Sequence, residues 1–447
     1  MGRKIIITVL STFPRGYKTR CKREQGETGN PITYLVGDKE IKAEWTNEAG
    51  LKYFLDGNTE YTDIICLCSK ETSNEEYEKE LLAIIEERNS TLKDKIQRIE
   101  YSLNDDVKTI SGKLMEKFTF SPSDIVYIDT TGGARTVAYY LVYLFRYLEY
   151  IGVTVESAIY SQINRTEDGK LTGEGTITNV KDNFRMFDLI NGAHEFTSTG
   201  NPKTLSDYFA GSENEHIKNL LKAMQKFYDQ ISLCRIGSDI DKSLTAMDKC
   251  LLKIENNPQP SDNETRLKEI IPVIRKKFFP DNKSRYLGLI KWCLDSGPIQ
   301  QAVTIYIEKM PKAYFTEFKF LCLDDVNFES SESDTENKGH DEYHHYFRKI
   351  IDRILSPKIK LSMKNVSDKD IKKLCLDYKY MQIVRNYVNH ASERKFKSFR
   401  EKDTESILLR ENSQLYKLPK ENNFSAKDIK SFIIQSVKYI ENIKLKN

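Results

Sequence analysis

DIVYIDTTGGARTVAYYLVYLFRYLEYI, residues 124–151, passes from an apolar, β-branched strand (124–130) through a Thr-Thr-Gly-Gly turn into a helix whose apolar residues recur at helical spacing. A strand, a glycine turn and a long helix are the halves of a β-α unit, so the segment fixes the class of its surroundings. Five further runs upstream and downstream read as strands: KIIITVL (4–10), ITYLV (32–36), DIICLCS (63–69), KIQRIEYS (95–102) and VTVESAIYS (153–161). SNEEYEKELLAIIEER and VKTISGKLMEKF read as crossover helices between them, and GKLTGEGTITNV as a short closing hairpin. The first 180 or so residues therefore predict an α/β, Rossmann-like domain with a largely parallel sheet covered by helices on both faces.

In such sheets ligands bind at the carboxyl ends of strands, where backbone N–H groups and the positive end of a helix meet an anion. In DTTGGAR, Gly132 and Gly133 allow close approach, Thr130 and Thr131 offer hydroxyls, and Arg135 offers a guanidinium fork. A Gly-Gly pair also serves a tight turn with positive φ, and this second reading carries equal weight for the isolated pair. No GxGxxG follows the first strand and no GxxxxGK[ST] occurs, which disfavours ordinary dinucleotide and P-loop nucleotide binding. The first strand runs instead into STFPRGYKTRCKRE, where Ser11 and Thr12 stand at the strand end and Arg15, Lys18, Arg20, Lys22 and Arg23 follow. A basic loop there suits a ligand with several phosphates, although a solvated surface loop has the same composition.

After residue 180 the strand signal gives way to helices, read near 183–197, 204–233, 239–255, 263–279, 284–296, 298–320, 342–355, 367–393 and 425–445. Breaks are expected at Pro258, Pro260, Pro280, Pro298, Pro311 and Pro357. ESSESDTENKGHDE (329–342), acidic and with little to bury, reads as a loop. Near the end of the helix 367–393 stands RNYVNH, with Arg385, Asn386 and His390. Arg and His five residues apart are separated by about 7 to 8 Å along a helix, so long side chains can converge on one phosphate. Downstream, RKFKSFREK (394–402) interleaves Arg394, Lys395 and Lys397 with Phe396 and Phe399, a composition that suits single-stranded RNA and equally a solvated helix end. HDEYHH (340–345) imitates a zinc-protease motif with Asp in the Glu place, has no identifiable third ligand, and predicts no metal site. His194 and His216 have no evident catalytic company in the sequence.

The chain's 447 residues carry 69 Lys plus Arg against 66 Asp plus Glu, a net +3 that is too balanced for a nucleic-acid coat protein. With 39% hydrophobic content it can build true cores, and no stretch approaches the roughly 20 apolar residues of a membrane span. Eight cysteines without a CxxC pair read as free thiols of a cytosolic protein, with Cys66 and Cys68 on one face of a buried strand.

Taken together, DTTGGAR in an N-terminal α/β domain and RNYVNH in a following all-α domain resemble the CRISPR-associated CARF/HEPN ribonucleases of type III systems. NGAHEFTSTGNPKTLSDYF (191–209) is similar to that family's passage from sensor to helical region. The resemblance implies a CARF ligand-sensing domain at 1–190, a helical connector at 191–235 and a HEPN ribonuclease domain at 236–447. It further implies a homodimer whose paired CARF domains bind cyclic oligoadenylate, tetra- or hexa-adenylate, through Thr130, Thr131, Gly132, Gly133 and Arg135, with Ser11 and Thr12. Arg385, Asn386 and His390 are implied as each protomer's half of a nuclease site for single-stranded RNA that needs neither metal nor cofactor. Two alternatives stay open: a nucleotide-sensing regulator that binds nucleic acid without cutting it, and a ring nuclease that degrades its own cyclic oligoadenylate in the CARF domain.

Overall fold

The computed structural model describes residues 2–13, 17, 31–133, 135–168, 171–279, 284–296, 298–321, 343, 347–348, 351, 366–389, 408, 415–416 and 425–446. The chain divides into two compact units, 1–186 and 187–447.

The first unit holds strands β1 (Lys4–Val9), β2 (Ile32–Val36), β3 (Lys39–Ala43), β4 (Asp63–Ser69), β5 (Ile96–Tyr101), β6 (Ile125–Asp129), β7 (Thr154–Arg165) and β8 (Leu171–Asn179). They form one sheet in the order β3-β2-β8-β7-β6-β1-β4-β5. From β7 to β5 every pairing is parallel. Antiparallel partners enter at the other edge, β8 against β7 and β3 against β2. Helices α1 (Thr46–Leu55), α2 (Glu75–Arg88), α3 (Val107–Lys117) and α4 (Arg135–Tyr150) connect the strands.

The two-residue period of β1 sorts its side chains between two cores. Ile5, Ile7 and Val9 join Ile65 and Leu67 against α3 and α4, through Ile110, Leu114, Val137 and Leu141. Ile6 and Leu10 join Ile64, Cys66 and Cys68 against α1 and α2, through Phe54, Leu81 and Ile85. Burial raises the pKa of the Cys66 and Cys68 thiols, which suits packing rather than nucleophilic work.

GKLTGEGTITNV is not a hairpin of its own. It supplies one strand, β8, the second arm of a longer hairpin with β7, and β8 also pairs in parallel with β2. Gly173 and Gly175 lie within the strand, and Gly175 packs its backbone on the Tyr34 ring. The polar edge strand KEIKA (β3) and the short α1 carry too little periodicity to read from the sequence.

Helix α5 (Lys181–Thr199) contains the division between the units. The second unit continues with α6 (Lys203–Tyr208), α7 (Glu215–Ser232), α8 (Ser238–Glu255), α9 (Asp262–Phe278), α10 (Arg285–Ser296), α11 (Ile299–Thr316), α12 (Asp368–Asn389) and α13 (Ala426–Lys446), with no strand among its described residues. The helix expected over 204–233 is two helices, because Asn214 caps α7 by accepting from the N–H groups of His216 and Ile217. Pro311 does not break its helix: it lies buried inside α11, which runs on to Thr316. Core packing by Met310, Ala313 and Tyr314 offsets the lost backbone bond there. The expected helix 342–355 and the acidic loop 329–342 fall almost wholly outside the described residues.

Lys309 of α11 is only 3% exposed and reaches Gly237 O and Asp241 Oδ2, each at 2.9 Å. Removing one partner of such a pair leaves an uncompensated charge, a cost of about 3 to 5 kcal/mol when burial is complete. Among the described residues, no helix is long and apolar enough to cross a membrane.

Candidate functional site

In the first unit, the carboxyl ends of β1 and β6 lie side by side, Thr8 paired with Asp129. A polar network with no exposed member at its centre joins them. Asn47, in the first turn of α1, is fully buried. Its Nδ2 contacts Val9 O at 2.8 Å and Asp129 Oδ2 and Thr8 Oγ1 at 3.2 Å. Its Oδ1 accepts from Ser11 N at 2.8 Å and from Ser11 Oγ at 2.7 Å. Trp45 Nε1 in turn donates to Ser11 Oγ at 3.0 Å. Thr8 Oγ1 donates to Asp129 Oδ2 at 3.1 Å, and Thr131 gives Asp129 Oδ1 both its N–H, at 3.0 Å, and its hydroxyl.

These bonds state what the predicted ligand residues do inside the protein. The Thr131 hydroxyl is turned inward to Asp129 and accepts from Ser161 N at 2.8 Å. Thr130 Oγ1 donates to Ile159 O at 2.9 Å, and Ser11 is taken up by Asn47 and Trp45. Thr12 is exposed. Gly132 lies so close to β1 that a Cβ would stand 1.8 Å from Val9 O and 2.6 Å from Ser11 N, and Gly133 has φ +91°. The positive-φ turn reading therefore holds for Gly133, while Gly132 is required by the close approach of the β1 backbone. The turn also opens α4, a sixteen-residue helix, and Gly133 at its mouth is exposed. Among the described residues none accepts a hydrogen bond from the N–H of Gly132 or Gly133, so these amides and the positive helix end are what this surface offers an anion. Arg135 is the first residue of α4.

Burial pushes the Asp129 carboxyl up to about 6, against the lowering effect of the bonds from Thr131, Thr8 and Asn47. In the folded protein Asp129 thus holds its proton to higher pH than the ordinary 3.8, and its contribution to stability is full below about pH 4 and lost as pH rises through 6. Asp129→Asn is expected to flatten this dependence. Urea denaturation of wild type and variant should show their stability difference shifting by about 2 kcal/mol in favour of the variant between pH 4 and pH 7. A difference independent of pH would mean that Asp129 titrates normally.

Beyond Ser11 the chain is tied down by aromatic rings. Phe13 stacks on Tyr77 (centroids 3.9 Å apart) and on Tyr17 (4.3 Å), and its N–H donates to Tyr77 Oη at 2.9 Å. The basic residues Arg15, Lys18, Arg20, Lys22 and Arg23 of the same loop lie outside the described residues.

In the second unit, Arg385 and Asn386 are half-buried near the carboxyl end of α12. His390, Arg394, Lys395 and Lys397, like HDEYHH apart from Tyr343, fall outside the described residues. Arg385 Nη1 lies 2.9 Å from Glu308 Oε1 of α11. The buried Tyr378 phenol lies close by: burial raises its pKa, Glu308 raises it further, and Arg348 and Arg385 oppose. A buried carboxylate, Asp377, also anchors α12. Asp377 accepts from Lys373 Nζ at 2.8 and 2.9 Å, from Tyr416 Oη at 2.8 Å and from Ser436 Oγ at 2.8 Å.

His216 does have company. Its Nδ1 stands 3.0 Å from Glu264 Oε1 in a surface cleft of about 420 Å³. Burial raises the Glu264 pKa, but the bonds from Ser261, His216 and Asn257 outweigh it and hold the carboxyl down at about 2. Glu264 also closes a capping box with Ser261, so the cluster ties the start of α7 to the start of α9.

Sequence reasoning missed Asn47, Trp45, Tyr77 and Glu308. Glu308 had a signal: it is an acid inside AVTIYIEKMPKAYF, an otherwise largely apolar run. Asn47 had none, since an Asn at the start of a short helix is commonplace.

No family model matches the chain, and no curated protein matches it. Among solved structures it is similar to Enterococcus italicus Csm6 bound to cyclic hexa-2'-fluoro-hexa-dAMP. That likeness has 11% sequence identity and a TM-score of 0.33, and it covers 99% of this chain and 100% of that one.

Proposed function

We propose that the chain is a nucleotide-activated endoribonuclease of CARF/HEPN type, acting in type III CRISPR antiviral defence. The observation that carries the reading is Arg385: 30% exposed, held by Glu308, and followed at five residues by His390 on the same RNxxxH motif. The TTGG turn at the head of α4 supports a polyanionic activator, read here as cyclic tetra- or hexa-adenylate.

RNA brings its own nucleophile, the 2′-hydroxyl. Cleavage then needs a proton acceptor and donor, and a cation for the charge that builds on phosphorus. His390, with an imidazole that titrates near cellular pH, takes the proton work. Arg385 takes the phosphate oxygens and Asn386 orients the group, leaving 2′,3′-cyclic phosphate and 5′-hydroxyl ends with no metal required. Arg394, Lys395 and Lys397 guide the strand. One motif per chain calls for a homodimer to supply both acid and base.

The test is cleavage of a fluorophore-quencher single-stranded RNA in EDTA, with and without each ring, by wild type and His390→Ala. Ring-dependent cleavage lost in the variant is expected. Products with 5′-phosphate ends would remove the 2′-hydroxyl mechanism, and binding of a ring without cleavage would replace the reading with a non-catalytic regulator.

A further inference from the structure

Glu308 is out of place by composition. From Ala302 to Phe315, α11 is buried almost throughout, and an acid in such a helix demands a partner. Its neighbour Lys309 has Asp241, and Glu308 has Arg385. The two helices do not depend on this pair to stay together: α11 packs directly against α12, with Ile305, Met310, Met381 and Val384 all fully buried. What the pair does fix is the guanidinium. An arginine at the surface end of a helix samples many rotamers, and a carboxylate on one terminal nitrogen removes most of them. Nη1 is the nitrogen seated on Glu308, which leaves the remaining donors of the planar fork to a phosphate. Both side chains are 30% exposed, so the contact is open to substrate rather than sealed.

We propose that Glu308 is a positioning residue for RNA cleavage, holding Arg385 with its free edge toward the scissile phosphate; this rests on the ribonuclease reading above. Glu308 touches no reacting atom and acts only through Arg385. Misplacing a group that stabilises the transition state lowers turnover more than substrate binding.

The experiment measures kcat and KM for ring-activated cleavage by wild type, Glu308→Ala, Glu308→Gln, Glu308→Asp, Arg385→Ala and the Glu308→Ala/Arg385→Ala double variant, each with its thermal unfolding midpoint. Glu308→Ala is expected to lose about 10- to 100-fold in kcat with KM within about twofold. Its midpoint is expected to stay within about 2 °C of wild type. Glu308→Gln, whose amide oxygen still accepts from Nη1, recovers most of the loss, and Glu308→Asp, one methylene too short, does not. In the Arg385→Ala background the Glu308 substitution changes nothing further. Should Glu308→Ala fail to fold, the contrast between Gln and Asp carries the test. Unchanged or increased turnover in Glu308→Ala overturns the inference, as does an equal loss with and without Arg385. Absence of cleavage by the wild type with either ring overturns the ribonuclease reading and this inference together, whereas wild-type cleavage indifferent to Glu308 overturns the inference alone.

Discussion

Arg385→Ala is expected to lower ring-activated RNA cleavage about 10²- to 10³-fold, the usual effect of removing one preorganised donor from a developing negative charge. The loss should fall on kcat, because in the proposed reaction the charge that Arg385 meets grows as the 2′-oxygen attacks. Stability should barely move. The ion pair it breaks is 30% exposed on both sides, and exposed pairs contribute about 0 to 1 kcal/mol. Arg385→Lys should recover little of the activity, since an ammonium cannot hold Glu308 with one nitrogen and offer phosphate the others in one plane. Steady-state kinetics beside thermal unfolding separates these outcomes. Wild-type turnover in Arg385→Ala would remove the arginine from the mechanism.

Gly132→Ala should be strongly damaging to the first unit. The added methyl would meet Val9 O at 1.8 Å and Ser11 N at 2.6 Å, both backbone atoms that cannot rotate aside. The ends of β1 and β6 must part to admit it, which breaks the bonds through Asn47 as well. A cost of about 3 kcal/mol or more is expected, at the upper end for an overpacked site, together with loss of the proposed cyclic oligoadenylate binding in calorimetry. Gly112→Ala on α3 is the control. A Cβ there meets nothing within 4 Å, and alanine should be neutral or stabilise by about 1 kcal/mol. Equal behaviour of the two variants would refute the steric account.

The contrast between these glycines shows what one sequence can disclose. The central strands were legible because residues buried on both faces read as unbroken apolar runs, as IIITV and DIICLCS do. KEIKA, polar and at the sheet edge, left no such trace. DTTGGAR was legible as a strand end and helix start, yet what presses on Gly132 is the backbone of β1, more than a hundred residues earlier in the chain. Spacing cannot reveal such a neighbour. The same holds for Asn47 with Asp129, and for Glu308 with Arg385, contacts that only the fold brings together. The hydroxyls of Thr130 and Thr131, chosen from sequence for a ligand, serve the turn itself because nearer acceptors, Ile159 O and Asp129, claim them.

Asn47 has a mechanical meaning. One amide clasps the last residues of β1, the acid that closes β6 and the opening turn of α1, so these three pieces share a single rivet. Neither strand end can drift without dragging the other. A molecule pulling on the TTGG turn would tug α1 and β1 in the same stroke, which makes these joined ends a stiff lever rather than a cushion.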